Sequence, residues 1–266
     1  MTQTARKIEP PGVERHPGKW VWFELVTPDA RRAQAFYREV LGWKVQRFPI
    51  GGGTYEMVYA GDTMIGGYTE PRSPGEPARW LSCVSVEDLD RTLADAVALG
   101  ARVLESAVEV PGLGRRVAIV DPLGVELVLF RNGMGDPPDA PAVPEGRWLW
   151  NELHVPDVAA GLEFYQRVLG YQGRAFGAGQ GEPYTILSRD GVDRGGVTTA
   201  GCREMPAHWL PYVHVEDVDG ATARARRAGG QVRMLDSIPG VGRIGIITEP
   251  GGAALALLSP RPVAGS

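Results

Sequence analysis

The feature that most constrains this chain is an internal duplication, because two closely similar signatures occur half a chain length apart. The segment Trp22–Leu25 (WFEL) returns as Trp150–Leu153 (WNEL), an offset of 128 residues, and a Phe-Tyr pair follows each copy. A second pair of segments, Arg79–Asp88 and His208–Asp217, repeats a Trp-Leu strand that ends in Val-Glu-Asp. Such self-similarity indicates a fold assembled from repeated units, so the two halves must be interpreted together.

Length and composition favour an ordinary globular protein of two domains. The 266 residues, of which 43% are hydrophobic and 23% charged, suit two domains with their own cores. The net charge of −4 offers no basic surface for a nucleic-acid backbone, and no segment approaches the roughly 20 apolar residues of a membrane-spanning helix. We therefore expect a cytoplasmic protein that binds neither nucleic acid nor membrane. Cys83 and Cys202 occupy non-equivalent positions, which predicts reduced thiols.

Each half is predicted to contain two copies of one strand–helix unit. An aromatic strand, Trp20–Val26 or Trp148–Val155, ends at a Pro-Asp step, where the aspartate can cap the following helix. Glycine ends these helices at Gly42 and Gly170. Two or three strands follow each helix. The predicted boundaries are a flexible tail at 1–18, a first domain at 19–131, a Pro/Gly-rich linker at 132–146 and a second domain at 147–260.

Four motifs resemble those of the vicinal oxygen chelate superfamily, which contains glyoxalases, extradiol dioxygenases and bleomycin-resistance proteins. They are Phe36–Trp43 (FYREVLGW), its echo Phe164–Tyr171 (FYQRVLGY), Asp121–Gly124 (DPLG) and its weaker echo Glu249–Gly252 (EPGG). The resemblance implies an α+β fold with tandem duplicated domains, in which four βαβββ modules form two cupped mixed sheets. The layout is most similar to the tandem glyoxalase-like bacterial proteins often labelled hydroxylases. Any ligand is expected inside a cup.

The resemblance also implies where a metal ion would bind. Metal-using members take His, Gln or Glu from the first and last strands of each module. The corresponding positions here are not metal ligands: Trp22, Leu81, Val128 and, within one residue, Gly66 in the first half, and Trp150, Leu210, Ala256 and Gly195 in the second. We therefore predict no metal site and no other cofactor, which argues against glyoxalase and dioxygenase chemistry.

Strand alternation predicts which side chains face each cup, because residues two apart share a face. The second cup should gather Glu152, His154, Tyr212 and His214, a set with acid–base character and our candidate catalytic residues. The same histidines and Glu152 could instead form an unconventional two-His-one-carboxylate metal site, or hydrogen-bonded walls. The first cup should hold the less reactive Glu24, Cys83, Ser85 and Glu126. The expected ligand-binding residues are Trp22, Glu24, Tyr55, Glu126, Val128, Trp150 and Tyr184.

These residues support hypotheses from different functional classes. Trp22 and Trp150 would form stacking walls in a metal-free binding protein that sequesters a hydrophobic or planar aromatic natural product, for self-resistance or as a biosynthetic accessory. Alternatively, the second cup would serve a cofactor-free isomerase, cyclase or lyase of secondary metabolism. A metal-dependent lyase or dioxygenase with relocated ligands ranks third. We favour binding over catalysis, with a small molecule as partner and a monomer or homodimer as the assembly.

Overall fold

The computed structural model describes residues 13–50, 53–110, 112–177, 184–200 and 206–260; most of the predicted tail and Cys202 lie outside these ranges. The described chain forms four βαβββ modules. The first half contains β1 (Trp20–Val26), α1 (Ala30–Leu41), β2 (Lys44–Ile50), β3 (Gly53–Ala60), β4 (Thr63–Thr69), β5 (Arg79–Ser85), α2 (Leu89–Ala98), β6 (Arg102–Val110), β7 (Gly114–Val120) and β8 (Glu126–Asn132). The second half contains β9 (Trp148–His154), α3 (Val158–Leu169), β10 (Gln172–Phe176), β11 (Tyr184–Arg189), β12 (Val192–Thr198), β13 (His208–His214), α4 (Val218–Arg227), β14 (Gln231–Ile238), β15 (Gly242–Thr248) and β16 (Ala254–Pro260).

Both halves fold into the same eight-stranded mixed sheet. Sheet A has the order β2-β3-β4-β1-β5-β8-β7-β6, and sheet B has the order β10-β11-β12-β9-β13-β16-β15-β14. The first strands of the two modules pair antiparallel at the centre of each sheet, whereas β1 and β4, like β5 and β8, run parallel. Two modules thus join through their first strands, and sheet A curls into a half-barrel. The predicted α+β fold with two cupped mixed sheets is confirmed.

The prediction of two or three strands after each helix was incomplete, because β2 and β10 belong to the modules as well. Both are edge strands, and every residue of β10 is exposed. A strand with no buried face lacks the apolar alternation from which strands are recognised in sequence. The predicted ends of α1 and α3 are confirmed. Gly42 and Gly170 follow α1 and α3 in left-handed conformation, with φ of 68° and 69°.

The helices cover only the convex faces of the sheets, where two large cores join the halves. One core combines residues of β1, α1 and β4 with residues of β13, α4 and β16. The other combines β5, α2 and β8 with β9, α3 and β12. Helix α1 contacts α4, and α2 contacts α3. The sheets therefore pack back to back through their helices, and their concave faces point away from each other.

The family motifs take part in this contact between halves. The hydroxyl of Tyr165, from the second Phe-Tyr pair, donates to the Asp121 carboxylate of the first half at 2.9 Å. It also accepts a hydrogen bond from Nε1 of Trp209 at 2.9 Å. In the matching place, Trp80 Nε1 donates to the Tyr37 hydroxyl at 2.9 Å. The bond between Tyr165 and Asp121 thus links the second Phe-Tyr pair to the Asp-Pro motif of the first half.

Residues 132–146, which we call the linker segment, are held against both halves by two aspartates. Asp136 accepts hydrogen bonds from the backbone N–H of His16 and from the hydroxyl of Ser85. Asp139 contacts Lys19 at 2.8 Å and Arg194 at 2.6 Å. Burial opposes the ionisation of Asp139, but the hydrogen bonds from Arg194 and Lys19 outweigh burial and lower its pKa to about 2. The hydrogen bonds of Asp136 and the ion pairs of Asp139 therefore hold the linker segment against the two halves.

None of the four helices is long and apolar enough to span a bilayer, as far as the described ranges extend.

Candidate functional site

The concave face of each sheet carries a small apolar cluster built from strands, and we call these faces the first cup (sheet A) and the second cup (sheet B). In the first cup, Trp22 packs with Leu81, Cys83 and Val128. In the second cup, Trp150 packs with residues that include Leu210, Tyr212 and Ala256. The strand faces predicted from alternation are confirmed for these residues.

A hydrogen-bonded Trp–Tyr–Glu arrangement occurs in both cups. Nε1 of Trp22 donates to the Tyr55 hydroxyl at 3.0 Å, and that hydroxyl lies 3.4 Å from a carboxylate oxygen of Glu24. In the second cup, Trp150 Nε1 donates to the Tyr184 hydroxyl at 2.8 Å. Tyr184 in turn is hydrogen-bonded to Glu152. Three of the predicted ligand-binding residues therefore meet in the first cup, and in the second cup two of them meet Glu152, which was predicted as catalytic.

Each tyrosine hydroxyl lies directly over a glycine of the neighbouring strand. A Cβ on Gly67 would collide with the hydroxyl of Tyr55, and a Cβ on Gly196 would collide with that of Tyr184. Only glycine leaves room for the ring here. These glycines stand within one residue of the β4 and β12 positions at which the resemblance expects a metal ligand. The tyrosine thus occupies the space into which such a ligand would project.

The first cup is closed by a charge pair that strand alternation alone did not identify. Glu24, only 4% exposed, contacts Nη1 of Arg116 on β7 at 2.6 Å. Burial disfavours the charged guanidinium, but the Glu24 carboxylate outweighs this cost and keeps the pKa of Arg116 above its ordinary value. Burial also raises the pKa of Cys83, with Glu24 adding to the effect, so this residue is a thiol and not a nucleophilic thiolate.

The second cup surrounds its carboxylate with tyrosine hydroxyls and a histidine ring instead. The Tyr212 hydroxyl donates to Glu152 at 2.9 Å. Nε2 of His154 lies 2.8 Å from the same carboxylate oxygen, but the geometry of this contact is not that of a hydrogen bond. Burial and the Glu152 charge raise the pKa of Tyr184 and of Tyr212 far above the ordinary tyrosine value. Both tyrosines therefore remain protonated and donate to the carboxylate at physiological pH.

His208 extends this cluster and was missed by the sequence-based choice of site residues. Its ring stacks on His154 with centroids 5.0 Å apart and an interplanar angle of 6°. The two residues are direct partners in the β9–β13 pairing. Burial lowers the pKa of His208, and the neighbouring His154 adds to the effect. The available signal was the antiparallel register, in which the first residue of β13 opposes the last residue of β9.

Two other predicted site residues, His214 and Glu126, lie apart from these clusters, and Val128 belongs to the apolar cluster at the base of the first cup. The structure does not bring His214 to the catalytic set: its Nδ1 lies 2.7 Å from the Val143 carbonyl of the linker segment, at the end of β13. Glu126 lies at the rim of the first cup, where it binds Arg72 at 2.8 Å and Arg79 at 2.9 Å. Val128 is fully buried beneath the first cup.

The residues present do not fit a metal ion held in the manner of the superfamily. The positions implied for ligands carry tryptophan, leucine, valine, alanine or glycine, none of which donates an electron pair to a metal. Across the described ranges, no three or more His, Cys, Asp or Glu side chains are grouped so as to hold a metal. Glu152 and His154 supply only two such groups, and Nδ1 of His208 is engaged with the Pro206 carbonyl.

Two similar proteins align with nearly the whole chain. The chain is 32% identical over 251 residues to the glyoxylase-like protein CFP32 of Mycobacterium tuberculosis (strain CDC 1551 / Oshkosh), covering 91% of this chain and 94% of that protein. It is 27% identical over 265 residues to the anthracycline biosynthesis protein DnrV of Streptomyces peucetius, covering 92% and 94% respectively.

Solved structures agree on the fold at lower identity. The Mn(II)-bound glyoxalase of Novosphingobium aromaticivorans matches with a TM-score of 0.60 and 14% identity, covering 91% of this chain and 81% of that one. Homoprotocatechuate 2,3-dioxygenase of Brevibacterium fuscum matches with a TM-score of 0.65 and 17% identity, covering 97% and 76%. The sequence model of the Glyoxalase/Bleomycin resistance protein/Dioxygenase superfamily matches residues 19–129. With the CFP32 relationship spanning both halves, these matches show that the chain belongs to the glyoxalase/bleomycin resistance protein/dioxygenase superfamily.

Proposed function

We propose that the protein binds a flat aromatic small molecule in its cups without the aid of a metal ion. The observation that carries this proposal is the replacement of the expected ligand position by tryptophan in both cups, with each indole held by a tyrosine hydroxyl. Trp22, Tyr55, Trp150 and Tyr184 are all half-buried, so part of each ring remains accessible. Large rigid aromatic side chains gain binding energy by stacking on planar rings.

Polar groups beside these rings would orient the ligand. Each aromatic wall ends at a carboxylate, Glu24 or Glu152, which accepts hydrogen bonds. A ligand with hydroxyl groups on fused aromatic rings matches this combination. Anthracyclines have such rings, and the relationship to DnrV, named as an anthracycline biosynthesis protein, supports that class. We therefore propose a polycyclic aromatic natural product as ligand, sequestered or held for a biosynthetic partner.

Titration with an anthracycline tests the proposal. We expect Trp150→Ala or Trp22→Ala to weaken binding by about 30-fold, equivalent to about 2 kcal/mol, the scale of an aromatic hot spot. Calorimetric titration of each variant shows which cup is used. The conservative control is Trp150→Phe, which keeps a stacking face but removes the bond to Tyr184. Equal affinity in wild type and both alanine variants would disprove binding in the cups, and a stoichiometric divalent metal in the purified protein would disprove the metal-free part.

A second candidate function is acid–base catalysis in the second cup, and the close contact of Glu152 and His154 favours it. In this proposal, Glu152 takes a proton from a carbon next to a ligand carbonyl, Tyr184 or Tyr212 donates to the carbonyl oxygen, and the proton returns at another carbon. The net reaction is an isomerisation and consumes no co-reactant.

Deuterium exchange separates this candidate from simple binding. The anthracycline used for titration is incubated in D₂O with wild type or with Glu152→Gln, and deuterium bound to its carbon atoms is measured by NMR. Catalysis predicts incorporation with wild type, at least 100-fold slower incorporation with Glu152→Gln, and affinity within about tenfold, or roughly 1.4 kcal/mol. Binding without exchange in wild type would leave sequestration as the function.

A further inference from the structure

A cavity of about 340 Å³ lies between the halves, beneath the linker segment, and Trp150 of the second cup borders it. Its walls come from both halves, with Trp20 and Phe23 from β1 and Trp148 and Asn151 from β9. A bulge at the start of each of these strands places Trp20 and Trp148 on the convex side. Trp22 lies in the first cup, and Trp150 lies in the second cup and also borders this cavity. The volume is within the range of small-molecule sites.

The duplication makes the two sides of this cavity comparable, and they differ in polarity. On one side, Phe23 lies against Trp148 with ring centroids 4.3 Å apart, and Trp148 Nε1 donates to the carbonyl of Ile65 at 2.6 Å. On the other side, Asn151 stands at the position equivalent to Phe23, and Trp20 at the position equivalent to Trp148. One wall is therefore apolar and satisfied, whereas the opposite wall carries polar groups.

The polar wall lacks partners for several buried atoms. Asn151 is 0% exposed, and neither atom of its side-chain amide is hydrogen-bonded within the described part of the chain. The same holds there for Nε1 of Trp20 and Nε of Arg194. Trp20, Asn151 and Arg194 all line the cavity, and Trp20 Nε1 and the Asn151 carbonyl oxygen both lie beside Gly195, where an added Cβ would be 3.5 Å from the first and would clash with the second. Unpaired buried groups of this kind cost about 1–3 kcal/mol each, so a cluster of them indicates an absent partner.

The charge around the cavity favours an anionic partner. Three cationic side chains, Lys19, Arg147 and Arg194, line it, against Asp139 and Asp193. Lys19 and Arg194 share Asp139, and Asp193 is bound by Arg174 at the surface. Arg147 is half-buried and makes no ion pair with any described side chain. A negative group inside the cavity would therefore lie next to an uncompensated guanidinium.

The cavity also opens to solvent at an apolar rim. Met64 is 52% exposed and Val192 is 37% exposed, and both side chains contribute to its lining. Exposed apolar groups at an opening are unfavourable in water unless they contact something during function. They favour entry of a molecule with an apolar body.

From these observations we propose that the cavity is a further binding site, outside the two cups except for its border at Trp150, for a small aromatic carboxylic acid bearing a hydroxyl group. Its ring lies between Trp20 and Trp148. Its carboxylate accepts hydrogen bonds from Trp20 Nε1, Asn151 Nδ2 and Arg194 Nε, near the charge of Arg147. Its hydroxyl donates to Asn151 Oδ1. The proposal rests on this cavity alone and does not depend on the function proposed for the cups.

Calorimetric titration with salicylate tests this site. We expect one molecule bound per chain, binding at least tenfold weaker to Asn151→Leu and several-fold weaker to Arg147→Gln. Because leucine has nearly the shape of asparagine and needs no hydrogen bonds, Asn151→Leu should keep or raise the melting temperature, which excludes unfolding as the cause. Phenol, which lacks the carboxylate, should bind far more weakly than salicylate.

Two controls locate the binding. Tyr55→Phe alters the first cup, and neither Tyr55 nor its partner Trp22 lines this cavity, so salicylate affinity should stay unchanged in this variant. A crystal grown with salicylate should show the ring between Trp20 and Trp148. Absence of binding to wild type, equal affinity for wild type and Asn151→Leu, or a crystal with only ordered water on Asn151 and Trp20 would each overturn the proposal.

Discussion

At the scale of single residues, the two cups share one arrangement of side chains and differ in the groups that surround the glutamate carboxylate. Both retain tryptophan, tyrosine, glutamate and the glycine under the tyrosine. Glu24 is balanced by the cation Arg116, whereas Ile244 holds the register position equivalent to Arg116 in sheet B. Val26 of the first cup corresponds to His154 of the second. The first cup therefore carries a charge pair, whereas in the second cup a histidine and two tyrosines surround the carboxylate.

The lowered pKa of His208 predicts a dependence of stability on pH. Burial depresses the pKa in the folded state, so below about pH 6.5 the unfolded chain binds a proton that the folded chain resists. Unfolded protein is then favoured, and the free energy of unfolding should fall as pH decreases, by at most about 1.4 kcal/mol per pH unit from this group. Denaturant titrations between pH 5 and pH 8 measure the effect.

The matched variant is His208→Asn, which removes the titrating ring and keeps a polar side chain. As the pH falls below about 6.5, the free energy of unfolding of wild type should decrease relative to that of this variant. Above about pH 7.5 the difference between the two should be constant. A difference that stays constant over the whole range would show that burial does not depress the His208 pKa.

The sequence predicted part of the site because strand alternation is a local property. Trp22 and Glu24 could be placed on one face from their spacing alone. Arg116 and His208 could not, because their roles depend on which strands pair and in which register, and those pairings join residues far apart in the chain. His214 illustrates the opposite case. It has the right alternation, but it lies at the strand end, where the linker segment engages it.

At the scale of elements, all four helices begin in the same way. Asp29, Asp88, Asp157 and Asp217 each accept a hydrogen bond from the backbone N–H three residues later, at 2.8–3.1 Å. The Pro-Asp steps predicted the starts of α1 and α3 because a capping aspartate acts within one helical turn. The edge strands β2 and β10 escaped prediction for the reverse reason, since their pairing comes from a neighbour and not from their own pattern.

Removal of one cap should destabilise the protein by a defined amount. Asp157→Ala deletes the acceptor for the Ala160 N–H at the start of α3, and we expect a loss of about 1 kcal/mol. Asp157→Asn keeps an acceptor oxygen, so its free energy of unfolding should fall by only about a few tenths of a kcal/mol. Urea unfolding of both variants measures the difference, and equal losses in Ala and Asn variants would attribute the effect to charge rather than to capping.

At the scale of the whole molecule, the duplication predicted two similar sheets but not how they are joined. The packing of α1 on α4 and α2 on α3 pairs each module with one from the other half, so each large core is shared. Sequence repeats report similarity between units, whereas the partner of each convex face depends on the shape of the assembled sheets. The cavity beneath the linker segment is a product of this join, and neither half could form it alone.

Shared cores should make the two halves unfold together, and Tyr165→Phe tests this. The change removes a buried bond to Asp121 across the halves and leaves Trp209 Nε1 without its acceptor, so we expect a loss of about 1–3 kcal/mol. Tyr37→Phe is the matched control in the other Phe-Tyr motif, where only the bond from Trp80 is lost, and its effect should be smaller.

In calorimetry both variants should show one transition at a lower temperature, with calorimetric and van't Hoff enthalpies equal. Two separated transitions in Tyr165→Phe would mean that each sheet is stable by itself, and the shared cores would then add contact without cooperativity.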